Sequence, residues 1–370
     1  EHGLYVSFDF GANWHLWEND YPQVATQDLQ IHPEENDLII ATFGRGIYIL
    51  DDIQPLRVMA ENLAAFQQRG IYALPADAQY QASLSRPNGE RFPADHFYEG
   101  DNRESGANLY FLSTIPFEKK DGKKVTVTIM QDPLDGKEIM RSFQTDLDSG
   151  VCWVNWEFDM KGVRFPSRYV PDNKSEEEGG GAIVAPGKYQ VKFTCDGYSD
   201  STTFFVEPDP RYSFSSQQYF AYFEAKKKAE AIIEKATKGS DILAESLIAI
   251  DRIKGLVKHA PDSTQKKITP VTDSLVKEIE QMQLLYFLPE NTKGIMDDSK
   301  TLVNLLYTMY GYIQPNATGG NTEIMLRSAG EEVNRIVNQI NTFLENDWTN
   351  WKALIEKSNI QKFPNLERID

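Results

Sequence analysis

The chain has 370 residues and a formal net charge of −17, with 41% hydrophobic and 12% aromatic residues. This length exceeds what one compact core usually organises, so we expect two or three domains of globular composition. The negative charge argues against nucleic acid and anionic membrane surfaces as partners, because both require a basic patch. No run of about 18 apolar residues is present, so the sequence predicts no membrane span.

The first motif of the chain is the spacing S-x-D-x-G-x-x-W, formed by Ser7, Asp9, Gly11 and Trp14. Asp9 and Ser7 can accept hydrogen bonds from the N–H groups of a turn. Gly11 permits the backbone angles of such a turn, and Trp14 is expected to pack between strands. The motif, known as an Asp-box, therefore predicts a structural turn rather than a catalytic group.

A repeat links this motif to a later segment. The run GLYVSFD at Gly3–Asp9 recurs as GIYILDD at Gly46–Asp52, an offset of 43 residues (46 minus 3). This offset fits the period of one four-stranded propeller blade. In the second copy Gln54 and Arg57 replace the glycine and the tryptophan, so its box is degenerate. Strands are predicted at 4–8, 14–17, 28–32, 37–43 and 47–50. Residues 1–58 are predicted to be incomplete terminal propeller blades, and the chain is expected to begin inside a blade.

An apolar face accompanies these strands. It includes Leu4, Val6, Trp14, Ile39, Ile47 and Ile49. Partial blades leave unpaired strand edges and uncovered apolar surface, so we expect other strands, other parts of the chain or a second copy to cover this face.

The candidate ligand contacts lie on a different turn from the Asp-box. In a blade, the turn between strands two and three lies on the face opposite the turn between strands three and four. Gly44–Gly46 is such a turn and carries Arg45, and its counterpart one repeat earlier carries His2. Arg45 could contact a carboxylate or phosphate through its fork of donors. Alternatively, Arg45 is structural and pairs with Asp51, with Asp52 or with a neighbouring blade.

The region 59–208 begins with a short helical pattern at 56–70, and the rest of it is predicted to form mainly strands. The candidate strands are 108–113, 124–130, 138–143, 152–158, 187–195 and 202–206, with a hairpin signal at Asp135-Gly136. Short antiparallel strands at this spacing predict a β-sandwich of immunoglobulin or fibronectin type. Cys152 and Cys195 lie in two of these strands and should face one core, either as a disulfide or as free thiols.

Residues 209–370 change from a period of 2 to a period of 3.6 after Pro208-Asp209-Pro210. Helices are predicted at 216–235, 241–257, 264–285, 296–314 and 323–344, with a short one near 348–358. Gly239 is expected to separate the first two, with Ser240-Asp241 as the N-cap of the second. Helices of this length with short loops predict an α-helical bundle. The tyrosines among them fit a bundle core or an aromatic groove for sugar or peptide.

The sequence carries no familiar catalytic or cofactor motif. Its five histidines form no H-x-x-x-H pair, and there is no P-loop, dinucleotide fingerprint or G-x-S-x-G. We therefore predict no metal, no cofactor and no catalytic residue on this chain.

The segment Asp28–Arg57, DLQIHPEENDLIIATFGRGIYILDDIQPLR, resembles the last blade of bacterial sortilin-like or BNR (Asp-box) repeat propeller proteins of glycosyl-hydrolase type. The likeness continues through 106–110, 154–157 and 185–189, which resemble the sandwich that follows such propellers. The resemblance implies a secreted or periplasmic protein, with missing blades of the same protein as partners. Its expected function is that of a non-catalytic C-terminal accessory region binding carbohydrate or protein. Alternatively, the protein is a sialidase-like glycoside hydrolase whose catalytic residues lie on absent blades.

Overall fold

The computed structural model describes residues 3–66, 70–82, 105–116, 122–131, 138–170, 179–294, 297–358 and 360. Its fold mixes β and α structure, with 28% strand and 41% helix. The chain divides into two compact units, one of residues 1–159 and 186–212 and the other of residues 160–185 and 213–370. No helix in the described ranges is long and apolar enough to cross a bilayer. His2 and the hairpin signal Asp135-Gly136 lie outside the described residues.

The strands in chain order are β1 (Leu4–Val6), β2 (His15–Trp17), β3 (Thr26–Ile31), β4 (Leu38–Thr42), β5 (Ile47–Leu50), β6 (Ile71–Ala73), β7 (Gln79–Gln81), β8 (Ala107–Ser113), β9 (Lys124–Gln131), β10 (Ile139–Asp146), β11 (Gly150–Trp156), β12 (Asp159–Lys161), β13 (Gly180–Ile183), β14 (Gly187–Cys195) and β15 (Tyr198–Pro208). The helices are α1 (Gln54–Phe66), α2 (Ser216–Val257), α3 (Asp262–Tyr286), α4 (Leu302–Tyr312), α5 (Gly320–Phe343) and α6 (Thr349–Lys357).

Two small sheets form the start of the first unit. Strands β1 and β2 pair antiparallel, and β3, β4 and β5 form a separate antiparallel sheet. Leu4, Tyr21 and Ile40 build a shared core between them, and the rings of Tyr21 and Tyr48 meet edge to face at 5.2 Å. The Asp52 carboxylate then accepts the N–H of Gln54 at 3.0 Å and starts α1. The chain therefore leaves the second small sheet after three strands, as the helical pattern at 56–70 predicted.

Two larger sheets complete the first unit as a curled half-barrel. One has the order β10-β9-β14-β15-β7, and the other has the order β11-β8-β6. Aromatic side chains join their inner faces, with Phe111 and Phe193 at 4.6 Å and Trp156 beside Tyr189 and Phe204. The half-barrel establishes the β character of this region, and the immunoglobulin or fibronectin type stays a prediction.

The two cysteines are free thiols in this structure. Cys152 lies on β11 and Cys195 on β14, and both side chains are buried, as their alternation predicted. Burial raises the pKa of the Cys152 thiol to about 11. A thiol held in this way is unreactive near neutral pH, so Cys152 acts as an apolar core residue.

The second unit is built around α2–α6. Its core combines apolar residues of these helices, including Ile233, Ile279 and Leu306, all of which are fully buried. Ser215 and Gln218 form a capping box at the start of α2. Val163, Phe165 and Ile183 of the 160–185 segment also pack against this core. The division into domains 1–58, 59–208 and 209–370 stays a prediction beside these two compact units.

The predicted helix break at Gly239 and the predicted N-cap at Ser240-Asp241 are wrong. Helix α2 runs without interruption through these residues. A Cβ atom at Gly239 would overlap the Tyr286 hydroxyl, so the glycine lets α3 approach α2 closely. The Ser240 hydroxyl donates to the Thr237 carbonyl at 2.9 Å inside the helix. Sequence alone cannot separate a glycine that ends a helix from one that allows close packing.

A buried polar cluster joins α2 and α4. The Lys226 ammonium donates to the Tyr310 carbonyl at 2.6 Å and lies 3.6 Å from the Tyr310 ring centroid. The Tyr310 hydroxyl donates to Glu230 at 2.9 Å. Burial lowers the pKa of Lys226 to about 8 and raises the pKa of Glu230. Tyr286 is fully buried and Tyr310 packs against the core, so both tyrosines belong to the core of the helical unit.

Candidate functional site

The Asp-box turn connects β1 to β2 through side-chain hydrogen bonds. Asp9 accepts the backbone N–H of Asn13 at 2.9 Å and the side-chain amide of Asn13 at 2.6 Å. The Ser7 hydroxyl oxygen accepts the N–H of Gly11 at 2.7 Å. Phe10 and Gly11 both have positive φ, at 58° and 92°. The Gly11 position is therefore one that glycine occupies at low cost.

The electrostatics of Asp9 follow from this geometry. The backbone hydrogen bond from Asn13 lowers the pKa of Asp9 to about 2, helped by the Asn13 and Ser7 side chains. All these bonds favour the ionised carboxylate and use its oxygens to close the turn. The Trp14 ring lies over Gly11 but remains 62% exposed. The arrangement supports a structural role for Asp9, and the expected packing of Trp14 between strands is not completed within this chain.

The Arg45 turn lies at the opposite end of β1 from the Asp-box turn. Gly3, at the start of β1, donates to the Val24 carbonyl at 3.0 Å. Phe43, at the start of the Arg45 turn, donates to the neighbouring Ala25 carbonyl at 2.9 Å. The Asp-box turn follows the far end of β1. Arg45 is exposed, and the described residues give it no ion-pair partner.

The expected pairing of Arg45 with Asp51 or Asp52 is therefore not formed in this chain. Its role as a ligand contact stays a prediction, as does that of His2.

Strands β4 and β5 carry apolar residues on both faces of the sheet β3-β4-β5, whereas β3 adds the polar Asp28 and Gln30 to one face, opposite Ala41 and Ile39. Cross-strand partners share a face, and Ile39 pairs with Ile49 while Ala41 pairs with Ile47. We call Ile39, Ala41, Ile47 and Ile49 the open face. Ile47 is 68% exposed and Ile49 is 61% exposed. The other face carries Ile40, which is buried against the β1-β2 sheet. The solvated face of an antiparallel sheet normally carries polar side chains, so exposed isoleucines on β5 are unusual for such a face.

The repeat identifies what covers the equivalent of the open face. Leu4 is the counterpart of Ile47, at the same offset of 43 residues (47 minus 4). Leu4 is only 7% exposed because the next sheet along the chain packs on it through Ile40. Ile47 occupies the same place in its own sheet and remains exposed. On the opposite faces of the two sheets the order is reversed. Tyr5, the counterpart of Tyr48, is 51% exposed, whereas Tyr48 packs on Tyr21.

These exposed counterparts define two open surfaces of the β1–β5 region. One is the open face of β3-β4-β5, and the other is the pair Tyr5 and Leu16, which are cross-strand partners on β1 and β2. The sequence identified Ile39, Ile47 and Ile49 as surface that needs cover, and it missed Asn13, whose side chain and N–H complete the Asp-box turn. In the described ranges, no group of three or more His, Cys, Asp or Glu side chains could hold a metal ion.

Comparison with known proteins found no relative: no family model, no curated protein and no solved structure matches the chain.

Proposed function

We propose that this chain is the accessory and interaction region of a larger Asp-box propeller protein of secreted or periplasmic type. In this proposal β1–β5 are terminal propeller blades. The half-barrel is an accessory sandwich of immunoglobulin or fibronectin type, and the helices form an accessory bundle. The open face then docks on another blade of the same repeat, in the way that Leu4 docks on the sheet containing Ile40.

The observation that carries the proposal is the exposed aliphatic surface that Ile47 and Ile49 form on the open face. Burying an apolar side chain stabilises by about 1.5–3 kcal/mol, so the exposed Ile47 and Ile49 represent a large unsatisfied driving force. A continuous exposed apolar face is a property of protein interaction sites. The repeat adds the kind of occupant, because the equivalent surface one repeat earlier is covered by a β-sheet.

The first experiment measures self-association by sedimentation velocity over a range of protein concentrations. The wild-type chain should associate, and Ile47→Ser/Ile49→Ser should be monomeric with unchanged melting temperature. Val271→Ser/Ile324→Ser is the matched control, because it removes two exposed aliphatic side chains from α3 and α5. Equal association of wild type and Ile47→Ser/Ile49→Ser would contradict docking through the open face.

The second experiment tests the absence of glycosidase chemistry. Asp9, the acid of the only recognisable motif, is held by the turn and is not aimed at a substrate. The purified chain should therefore release no product from sialosides or neutral aryl glycosides. Turnover that a single Asp or Glu substitution abolishes would overturn the accessory role.

A further inference from the structure

A second surface of interest is a cleft of about 760 Å³ in the half-barrel, remote in sequence from β1–β5. It lies between β10 and β11, the edge strands of the two larger sheets. Its lining includes Arg141, Phe143, Asn155, Trp156, Glu157 and Asp159. The volume falls within the range of about 300–1,000 Å³ that small-molecule sites occupy.

The base of the cleft is a fixed ion pair. The Asp159 side chain is almost completely buried, and the Arg141 guanidinium donates to its carboxylate. The Trp156 indole N–H donates to the Asp159 carbonyl at 2.8 Å, which anchors the backbone of the same residue. Burial raises the pKa of Asp159, while the charge of Arg141 opposes this rise. The ion pair fixes the guanidinium, yet about a quarter of the Arg141 side chain stays exposed and can contact a ligand in the cleft.

An inward-pointing charge on an edge strand also has a purely structural use, because it discourages edge-to-edge pairing with another sheet. That role requires only the ion pair. It does not account for the cleft itself, nor for the half-exposed Phe143 and the exposed Glu157 that share the cleft with Arg141.

The charges and shapes of the lining select the ligand class. One cation, Arg141, stands against two acidic side chains, Glu157 and Asp159, so an anionic ligand meets net repulsion. A cationic ligand can pair with Glu157, but its charge offers no acceptor to the remaining N–H groups of Arg141. A neutral ligand rich in hydroxyl groups can donate to Glu157 and accept from Arg141 at the same time. Phe143 is the cross-strand partner of the fully buried Val127, and its half-exposed ring gives the cleft an apolar lining residue.

We infer that this cleft binds a neutral carbohydrate, with a pyranose ring against Phe143 and its hydroxyl groups between Glu157 and Arg141. This site is independent of the open face, so either one can fail without the other.

The experiment is isothermal titration calorimetry of the full chain with maltotriose, cellotriose and chitotriose as neutral probes. Trigalacturonate serves as the anionic probe and choline as the cationic probe. Two variants alter the cleft, Phe143→Ala and Glu157→Gln, and the second replaces an exposed side chain that folding does not require. Gln144→Ala is the matched control, because Gln144 is exposed and neighbours Phe143 on β10.

At least one neutral trisaccharide should bind with millimolar or tighter affinity. Each cleft variant should weaken that binding about tenfold, the effect of losing one good contact, and Gln144→Ala should leave it unchanged. Three results would overturn the inference. They are no binding of any neutral probe, binding of only the anionic or cationic probe, and neutral binding that survives both cleft variants.

Discussion

The helical unit and the β1–β5 region differ in how completely they bury their apolar residues. In the helical unit Ile233, Ile279 and Leu306 are fully buried, and even the buried Lys226 and Glu230 have partners. In the β1–β5 region Ile47 and Ile49 occupy regular strands and remain exposed. The difference teaches that the helical unit buries its apolar residues within this chain, whereas the small sheets leave two isoleucines uncovered by the described residues.

The strongest test of this difference in burial is to make the same substitution, isoleucine to alanine, in both regions. Ile233→Ala should cost about 2–5 kcal/mol of unfolding free energy, because it leaves a cavity in a packed core. Ile49→Ala should cost about 0.5 kcal/mol or less at protein concentrations where the chain is monomeric, because its side chain is exposed in the single chain. Urea unfolding followed by circular dichroism and tryptophan fluorescence measures both. Equal costs would show that Ile49 is covered in solution.

The buried lysine offers a pH test of the helical unit. Burial lowers the pKa of Lys226 from 10.5 to about 8, so between these pH values the unfolded chain binds the proton and the folded chain does not. Stability contributed by this group should therefore rise by roughly 1–3 kcal/mol as the pH increases from 8 to 10.5. Lys226→Met should remove this rise, and Lys228→Met, which replaces an exposed lysine of the same helix, should retain it.

Urea unfolding at a series of pH values, with wild type and the two variants in parallel, measures the pH effect. A stability curve of Lys226→Met parallel to that of wild type would mean that Lys226 is not buried as the structure has it.

Alanine substitutions at two glycines of α2 distinguish the effect of close packing on stability from the effect of helix propensity. Gly239→Ala should destabilise by about 1–3 kcal/mol, because the new methyl group meets the Tyr286 hydroxyl. Gly255→Ala should stabilise by about 0.5–1 kcal/mol, because nothing lies near its Cβ position. Adding Tyr286→Phe to Gly239→Ala should restore part of the loss. Thermal unfolding of the three variants checks the order, and a stabilising Gly239→Ala would contradict the close approach of α3 to α2.

The smallest expected effect concerns the Asp-box turn. Asp9→Ala removes the acceptor for the Asn13 N–H, so hydrogen exchange at Asn13 should accelerate while exchange in the helices stays unchanged. The pKa of Asp9 is lowered to about 2, so the bond is present above pH 3.8 and is lost as the pH falls through 2. Ser7→Ala should accelerate exchange at Gly11 instead. Unchanged exchange at Asn13 in Asp9→Ala would show that the turn does not depend on this carboxylate.

The sequence predicted local structure well where a periodic pattern was strong. Strands around Leu4 and Ile47 and the helix after Asp52 lie where periodicity and turn residues indicated. The region beyond Pro210 is helical as predicted, although the predicted helices 216–235 and 241–257 form the single helix α2. The exposed apolar face was also predictable, because alternation assigns Ile47 and Ile49 to one side of a strand.

Features that depend on distant residues were not predictable. Gly239 ends no helix because Tyr286, 47 residues later (286 minus 239), packs against it. The 160–185 segment lies within the predicted sandwich region 59–208, yet Phe165 packs against the helical core. The pairing of Arg141 with Asp159 depends on two strands of different sheets curling toward each other, which no local spacing encodes.

If the open face docks on a blade of the same repeat, as proposed, it should also fit the Tyr5 and Leu16 surface of a second copy, and mixing two variants tests this most directly. Ile47→Ser/Ile49→Ser keeps the Tyr5 and Leu16 surface, whereas Tyr5→Ser/Leu16→Ser keeps the open face. A head-to-tail contact between copies of the wild-type chain is not closed by symmetry, so it should give open-ended oligomers. Each variant alone should sediment as a monomer, and an equimolar mixture should give dimers and nothing larger. A mixture that stays monomeric, or a single variant that associates as strongly as wild type, would contradict the account.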